Sequence, residues 1–204
     1  MDNTALFKLG YGLYVLSAKD GEKDNGCIIN TMIQTTQNPL TAVIALNKQN
    51  FTHDMIMKTG KFNISVLTQE APFEVYTHFG FQSGKTVDKV TGYENIARSD
   101  NGIIYVPKFT NAYFSLDVTD KKDLGTHTLF IANIVDAVKL SDVESVTYSY
   151  YQSNVKPKKP APEKGKTVWR CKICGYEYVG EELPADFICP ICKHGASDFE
   201  KIVG

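Results

Sequence analysis

The sequence predicts a mainly β fold, in which a β-barrel with short helices precedes a small metal-binding domain. Two observations support this prediction. Short β-rich runs alternate with turn signals through residues 1–150, and four of the five cysteines form two CxxC pairs within the last 34 residues. Many short strands with brief connections are typical of barrels, and paired CxxC motifs are typical of metal sites. A length of 204 residues suits one sizeable domain and one small one.

The elements of the barrel follow from local patterns. Strands are predicted at residues 11–18, 27–36, 40–46 and 62–67, with turn signals at Asp20-Gly21, Asn25-Gly26 and Asn38-Pro39. Residues 112–119 alternate between apolar and polar side chains, and residues 128–140 are predicted to return as their hairpin partner after a charged turn at 120–125. Helices are predicted at 51–59 and 71–78, the second with Pro72 near its start.

Composition narrows the class of protein. Hydrophobic residues make up 43% and charged residues 22%, as in an ordinary globular chain. No run approaches 18 consecutive apolar residues, so no membrane span is expected. Residues 1–8 lack a basic segment followed by an apolar run, which argues against secretion. CxxC pairs in a non-secreted chain favour metal ligation over disulfides, and a reducing cytoplasm is the expected location.

Charge is distributed unevenly along the chain. The net charge of −1 argues against a nucleic-acid partner, yet residues 155–166 carry +4 between segments of −3 and −2. These twelve residues include three prolines and almost nothing to bury, so we interpret them as a solvated linker rather than a nucleic-acid-binding arm. Such a segment would span up to roughly 37 Å when extended. The predicted organisation is a domain at 1–154, a linker at 155–166 and a second domain at 167–204.

The second domain is predicted to need a metal. Cys171-Lys-Ile-Cys174 and Cys189-Pro-Ile-Cys192 can place four thiolates in a tetrahedron, which suits Zn²⁺ or a single iron. About 38 residues bury too little apolar surface to fold alone, so metal binding must supply stability. Gly175 permits the positive φ that turns backbone N–H groups towards the sulfurs. An aromatic cluster is predicted beside the site, made of Trp169, Tyr176, Tyr178, Phe187 and Phe199.

These residues, together with Gly180-Glu-Glu-Leu-Pro184, closely resemble rubredoxin, a one-iron electron carrier with four cysteine ligands. The resemblance covers residues 167–204 and implies an iron bound by Cys171, Cys174, Cys189 and Cys192. The alternative is a zinc ribbon that serves only as a structural or docking module. Recombinant protein is expected to accept zinc as well, because a thiolate site selects weakly between the two metals.

Three segments of residues 1–154 carry a second resemblance. Residues 25–31 with 38–39, residues 46–54 and residues 78–89 are similar in order and spacing to the flavin-reductase-like family. That family binds FMN on a split β-barrel at a homodimer interface. A barrel of this kind joined to a rubredoxin in one chain is the arrangement of the high-molecular-weight rubredoxin type of protein.

The resemblance implies which residues would bind FMN. Those implied for the phosphate and the ribityl chain are Asn30, Thr31, Asn47, Lys48 and Thr52. Those implied for the isoalloxazine ring are Ser83, Gly84 and Lys85. No catalytic residue is implied, because hydride transfer is chemistry of the flavin itself. Taken singly, these residues also have structural interpretations: Asn47 could end a strand, and Thr52 could cap the next helix.

Cys27 and two histidines remain ambiguous in the sequence. Cys27 would lie beside the flavin as a redox group, or in a strand as a small buried side chain. We favour the second interpretation because no cationic neighbour that would lower its pKa is evident. His53 and His78 would line the flavin pocket or, as we favour, serve as structural groups with satisfied hydrogen bonds.

The two resemblances together imply an electron-transfer enzyme. NAD(P)H would reduce FMN, the rubredoxin iron would receive electrons singly, and a partner protein would accept them. The resemblance points to a diiron flavoprotein that reduces oxygen or nitric oxide as one such partner. Two alternatives are a flavin reductase that releases reduced FMN and a non-enzymatic barrel with a structural zinc ribbon. The sequence has no GxGxxG motif with its discriminating acidic residue, so it does not choose between NADH and NADPH.

Overall fold

A computed structural model describes residue 5 and residues 8–157, 167–172, 175–190 and 194–202. The chain divides between Val155 and Lys156 into two compact units. Cys174 and Cys192 lie outside the described residues, as does most of the predicted linker.

The first unit is built on one seven-stranded antiparallel sheet. Its strands are β1 (Tyr14–Asp20), β2 (Lys23–Ile29), β3 (Ile33–Gln37), β4 (Leu40–Asn47), β5 (Lys61–Leu67), β8 (Thr110–Asp123) and β9 (His127–Lys139). Their order across the sheet is β2-β1-β5-β8-β9-β4-β3, so β2 and β3 are its edges. A separate pair consists of β6 (Ala97–Arg98) and β7 (Ile104–Tyr105). The mainly β prediction is confirmed.

Short helices connect these strands. They are α1 (Phe51–Thr59), α2 (Phe73–Gly80) and α3 (Tyr148–Tyr150), and a π-helical turn follows at Tyr151–Val155. α1 ends at Gly60, which adopts φ 70°, a left-handed conformation that favours glycine. Within the described ranges, no helix has the length and apolar character needed to cross a membrane.

Two apolar clusters stabilise the sheet. The first cluster joins β1, β2, β4, β5, β8 and β9 to α1 and contains the fully buried Phe62, Ile64 and Phe130. The second cluster joins the start of β1 and the end of β5 to α2 and includes Phe79 and Val15. Successive side chains of a strand point to opposite faces, so the two clusters pack on opposite faces of β1.

The structure corrects three predicted boundaries. The predicted strand 27–36 is two strands, because β2 ends at Ile29 and β3 begins at Ile33. The predicted turn Asn25-Gly26 lies inside β2, where a Cβ on Gly26 would lie 2.9 Å from the Phe79 ring. Glycine is therefore needed for close packing of α2, not for a turn. β8 continues to Asp123 and so includes most of the predicted turn. The charged residues of that turn therefore belong to the exposed end of a long hairpin.

α2 also begins later than predicted. Pro72 is its N-cap, with extended backbone at ψ 159°, and the helix starts at Phe73. Proline suits this position because it lacks the N–H that a helix start leaves unpaired.

The second unit contains a three-stranded antiparallel sheet. Its strands are β10 (Val168–Cys171), β11 (Glu177–Val179) and β12 (Phe199–Ile202), in the order β11-β10-β12. A 3₁₀ turn at Ala196–Asp198 leads into β12. Val168, Cys171, Cys189 and Phe199 are the buried apolar side chains described in this unit.

Candidate cofactor and metal sites

Side-chain hydrogen bonds link the N-terminus of α1 to strand β2. The Asn50 side chain accepts a hydrogen bond from the Thr52 N–H at 3.0 Å and caps the helix. Thr52 is fully buried, and its hydroxyl accepts a hydrogen bond from the Asn25 amide at 2.8 Å. The capping role considered for Thr52 is therefore wrong, because Asn50 fills it. Thr52 instead fixes the Asn25 side chain.

The loop that carries Ser83, Gly84 and Lys85 packs against the same place. A Cβ on Gly84 would lie 2.3 Å from the Asn25 side-chain oxygen, so only glycine fits here without movement. The Lys85 ammonium lies 3.8 Å from the Asp54 carboxylate in the first turn of α1. The Ser83 hydroxyl accepts a hydrogen bond from the Lys85 N–H at 3.2 Å. This loop thus contacts both β2 and α1.

Thr31 bonds to strand β4, and Asn47 ends that strand. The Thr31 hydroxyl donates to the Ala45 carbonyl at 2.8 Å and accepts from the Ala45 N–H at 3.2 Å. Asn47 is the last residue of β4, as its structural interpretation predicted, and its side-chain oxygen accepts from the Gln49 N–H at 2.9 Å. Ala45 and Asn47 share a face because they are two residues apart. The half-buried Asn30 has no side-chain hydrogen bond within the described chain.

Lys48 precedes α1 and bonds to the turn between β8 and β9. Its ammonium lies 2.6 Å from the Asp123 carboxylate, and its N–H donates to the Thr126 carbonyl at 3.0 Å. The hydrogen bond from Lys48 lowers the pKa of Asp123. The charge of Lys48 is therefore shared with a carboxylate, whereas the amides of Asn30 and Asn47 keep donors available.

The predicted flavin residues thus form two groups. Thr52 and the loop with Ser83, Gly84 and Lys85 meet at Asn25, and Thr31 and Asn47 lie near the end of β4. Sequence reasoning missed Asn25 because Asn25-Gly26 is a strong turn signal. It also missed Asn50, although an asparagine directly before a predicted helix is a recognised capping signal.

A cavity of about 450 Å³ adjoins the loop. Its lining includes Gly84, Lys85 and Asp88 from the loop and Lys23 and Asp24 from the start of β2. Hydrogen bonds from the backbone N–H groups of Val90 and Thr91 are the main cause that lowers the pKa of Asp88 to about 2. The cavity therefore presents both an ionised carboxylate and ammonium groups.

Cys27 is a buried thiol with a cationic neighbour. It is 2% exposed, and burial raises its pKa, although Thr52, Asn50 and the charge of Lys89 act in the opposite direction. The expectation that Cys27 lacks a cationic neighbour is wrong, because Lys89 comes from a distant part of the sequence. The raised pKa still favours an unreactive side chain.

Both ambiguous histidines have hydrogen-bond partners, as we favoured. His53 is 7% exposed, and its Nε2 lies 2.9 Å from the Thr128 hydroxyl. His78 Nε2 donates to the Lys89 carbonyl at 2.7 Å, and its ring stacks on Tyr93 at 4.1 Å between centroids. Both side chains therefore hold elements together.

The described half of the predicted metal site consists of two turns. Cys171 is 1% exposed, and its carbonyl accepts from the Gly175 N–H at 2.8 Å while Gly175 adopts φ 75°, consistent with its predicted role. Cys189 is fully buried, and its N–H donates to the His194 carbonyl at 2.8 Å. None of the three described cysteines forms a disulfide.

Four of the five predicted aromatic side chains contact one another beside these turns. Phe187 is central, with ring centroids 6.3 Å from Tyr176, 4.8 Å from Tyr178 and 5.4 Å from Phe199. Trp169 instead donates its indole N–H to the Gly180 carbonyl at 3.2 Å, below the Lys201 ammonium.

The residues present fit both expected groups. The N-terminus of α1 offers the positive end of a helix for a phosphate. Asn30, whose amide has no partner among the described residues, precedes Thr31 in the connection between β2 and β3. Buried sulfur atoms on two tight turns suit a thiophilic metal. Cys174 and Cys192 lie outside the described residues, and among those described no three metal-ligating side chains come together.

Family models match both parts of the chain. The flavin reductase like domain matches residues 6–159, and the rubredoxin-like domain of rubrerythrin matches residues 169–200. A high molecular weight rubredoxin from Moorella thermoacetica is 38% identical over 99% of this chain and 100% of its own. A ferric-chelate reductase (NAD(P)H) from Archaeoglobus fulgidus is 36% identical over 78% of this chain and 94% of its own.

A solved structure supports the fold. The FMN-binding protein from Thermus thermophilus superposes with a TM-score of 0.59 at 20% identity, covering 65% of this chain and 73% of that one. The first unit is accordingly a split β-barrel. The chain belongs to the flavin reductase like family, in the form of the high molecular weight rubredoxins, in which a rubredoxin-like domain follows the barrel.

Proposed function

We propose that this protein carries electrons from NAD(P)H through bound FMN to an iron held by four cysteines, and from there to a partner protein. The observation that supports this most strongly is the union of a flavin reductase like barrel and buried cysteine turns in one chain. When bound, FMN supplies the ability to accept a hydride and to release electrons singly. The reductase name of the Archaeoglobus relative agrees with NAD(P)H as donor.

The barrel residues would divide the binding of FMN between the two groups. Asn30, Thr31 and Asn47, with the N-terminus of α1, would bind the phosphate and the ribityl chain. Ser83, Gly84 and Lys85 would contact the ring. Lys48 would add charge compensation shared with Asp123, and Thr52 would act through Asn25. The cavity beside Gly84 and Lys85 would bind part of the FMN.

The second unit would exchange electrons without exchanging ligands. Cys171, Cys174, Cys189 and Cys192 would complete a tetrahedron around iron and leave no open coordination position. The rings around Phe187 would shield one side of the turns from water. The exposed apolar side chains of Val179 and Ile188 offer a contact surface for a redox partner, such as a diiron flavoprotein.

An apolar face on the outside of the barrel supports a homodimer. Val43 pairs with Ile131 and Ala45 with Leu129, and all four are half-buried while their strand neighbours point into the first core cluster. Ile33 on edge strand β3 continues this face beside Val43 and is 61% exposed. We call these five residues the β4–β9 face.

The β4–β9 face borders the proposed phosphate site. Thr31 bonds to the backbone of Ala45, and Asn47 follows Ala45 on the same face. A second subunit on this face would therefore come close to the bound FMN. A four-thiolate metal site would also agree with a reducing cytoplasm.

An anaerobic titration with NADH and NADPH tests the proposed function. Protein isolated with one FMN and one iron per chain should show both flavin and ferric-thiolate absorption. Because FMN takes two electrons and iron takes one, full reduction should consume about 1.5 equivalents of nucleotide per chain. Bound FMN should remain with the protein on gel filtration after reduction.

The other outcomes distinguish the alternatives. Release of flavin upon reduction, with no loss of ferric absorption, would identify a flavin reductase with an accessory tail. A colourless protein that binds only zinc after expression in iron-rich medium, and that takes up no FMN, would identify a non-enzymatic barrel with a structural zinc ribbon.

A further inference from the structure

Lys89 is a buried lysine without a carboxylate partner among the described residues. It is 3% exposed, and its ammonium donates to the Gly26 carbonyl at 3.0 Å and to the Phe79 carbonyl at 2.9 Å. Gly26 lies on β2, an edge of the sheet, and Phe79 lies in the last turn of α2. Carbonyl oxygens at a helix C-terminus favour a cation, but burial still lowers the pKa of Lys89.

The ammonium of Lys89 fixes the loop that carries the proposed ring contacts. Within the loop, backbone N–H groups donate to the Ser83 carbonyl and to the Asp88 carboxylate and give the loop its local shape. Lys89 then joins that loop to β2 one residue from Asn25, the side chain against which Gly84 packs. Loss of this lysine would remove its hydrogen bond between the loop and β2.

The positive charge of Lys89 also acts on the Cys27 thiol, where it opposes the rise in pKa that burial causes. Cys27 directly follows Gly26 in the sequence. A positive charge in a site with little water acts over several ångströms, because screening by solvent is weak there. Reduced FMN bears more negative charge than oxidised FMN at neutral pH, so such a charge would favour the reduced form.

We propose that Lys89 is a positioning residue of the flavin site, which fixes the 83–85 loop and places a buried positive charge beside the flavin. This inference rests on the proposed binding of FMN. A purely structural lysine would contribute to folding alone. A positioning residue would also change how tightly FMN binds and how easily it is reduced.

The test compares Lys89→Met, Lys89→Gln and Lys89→Arg in the full chain. Lys61→Met is the matched control, because Lys61 is an exposed lysine that bonds to Asp117 at 3.4 Å. Three quantities are measured: the Kd of FMN for the flavin-free protein, the midpoint potential of bound flavin, and the unfolding temperature without FMN. We expect Lys89→Met to raise the Kd at least about tenfold and to make the potential more negative.

Lys89→Gln should lower the potential although its amide can still donate, and Lys89→Arg should preserve it. Lys61→Met should change neither quantity. The inference is wrong if Lys89→Met, or Lys89→Gln where the methionine variant does not fold, binds FMN with unchanged Kd and potential. A wild-type protein that binds no FMN would instead overturn the proposed function.

Discussion

Replacing Cys171 or Cys189 with serine is expected to remove the metal and to unfold residues 167–202. Each sulfur is buried in a unit whose three strands span only four, three and four residues. So small a core cannot fold alone, and a structural metal in such a site contributes on the order of 10 kcal/mol. The loss should therefore be complete.

The barrel should survive these substitutions because it has two apolar clusters of its own. Metal analysis should show less than one-tenth of the wild-type content, and limited proteolysis should cleave the second unit while FMN stays bound. Cys27→Ser is the control and should retain full metal content. Stoichiometric metal in Cys171→Ser, with unchanged resistance to protease, would contradict ligation by this cysteine.

Placing a charge on the β4–β9 face is expected to give a monomer that binds FMN poorly. Ile131→Lys would bury an unpaired ammonium at the proposed two-fold interface, with a second one from the partner subunit close by. Such a change typically costs several kcal/mol of association free energy. Analytical ultracentrifugation at micromolar concentration should report a dimer for the wild type and a monomer for this variant.

Leu124→Lys is the matched control for the dimer. Leu124 is 50% exposed at the β8–β9 turn, outside the β4–β9 face, so its replacement should leave the dimer intact. A wild-type monomer at micromolar concentration, or an Ile131→Lys dimer with full FMN occupancy, would mean that the second subunit plays no part in the site.

Local signals in the sequence were sufficient for several elements. α1 has the predicted bounds, and in the structure Asn50 caps its start and Gly60 ends it. β8 and β9 pair as predicted because the alternation of apolar residues is long and regular. The cysteine turns were predictable because a short segment with two CxxC pairs has few roles other than binding a metal.

Contacts between distant residues could not be predicted in the same way. Lys89 is 63 positions from the Gly26 carbonyl that it binds, and nothing beside it in the sequence indicates burial. Asn25-Gly26 has the composition of a turn, yet packing against Phe79 and Gly84 requires these residues in a strand. Thr52 was predicted to contact phosphate, but tertiary packing buries it against Asn25. The roles proposed for these residues in binding flavin remain predictions.

The order in which the two centres are reduced tests the central claim most directly. Protein with FMN and iron would be mixed anaerobically with NADH, and then with NADPH, while flavin and ferric-thiolate absorption are followed together. Flavin absorption should fall first and ferric absorption second, at a rate that does not depend on protein concentration. Flavin-free protein should show no reduction of iron, and Cys171→Ser should show reduction of flavin alone. Reduction of iron at the same rate without flavin would contradict the transfer of electrons through FMN.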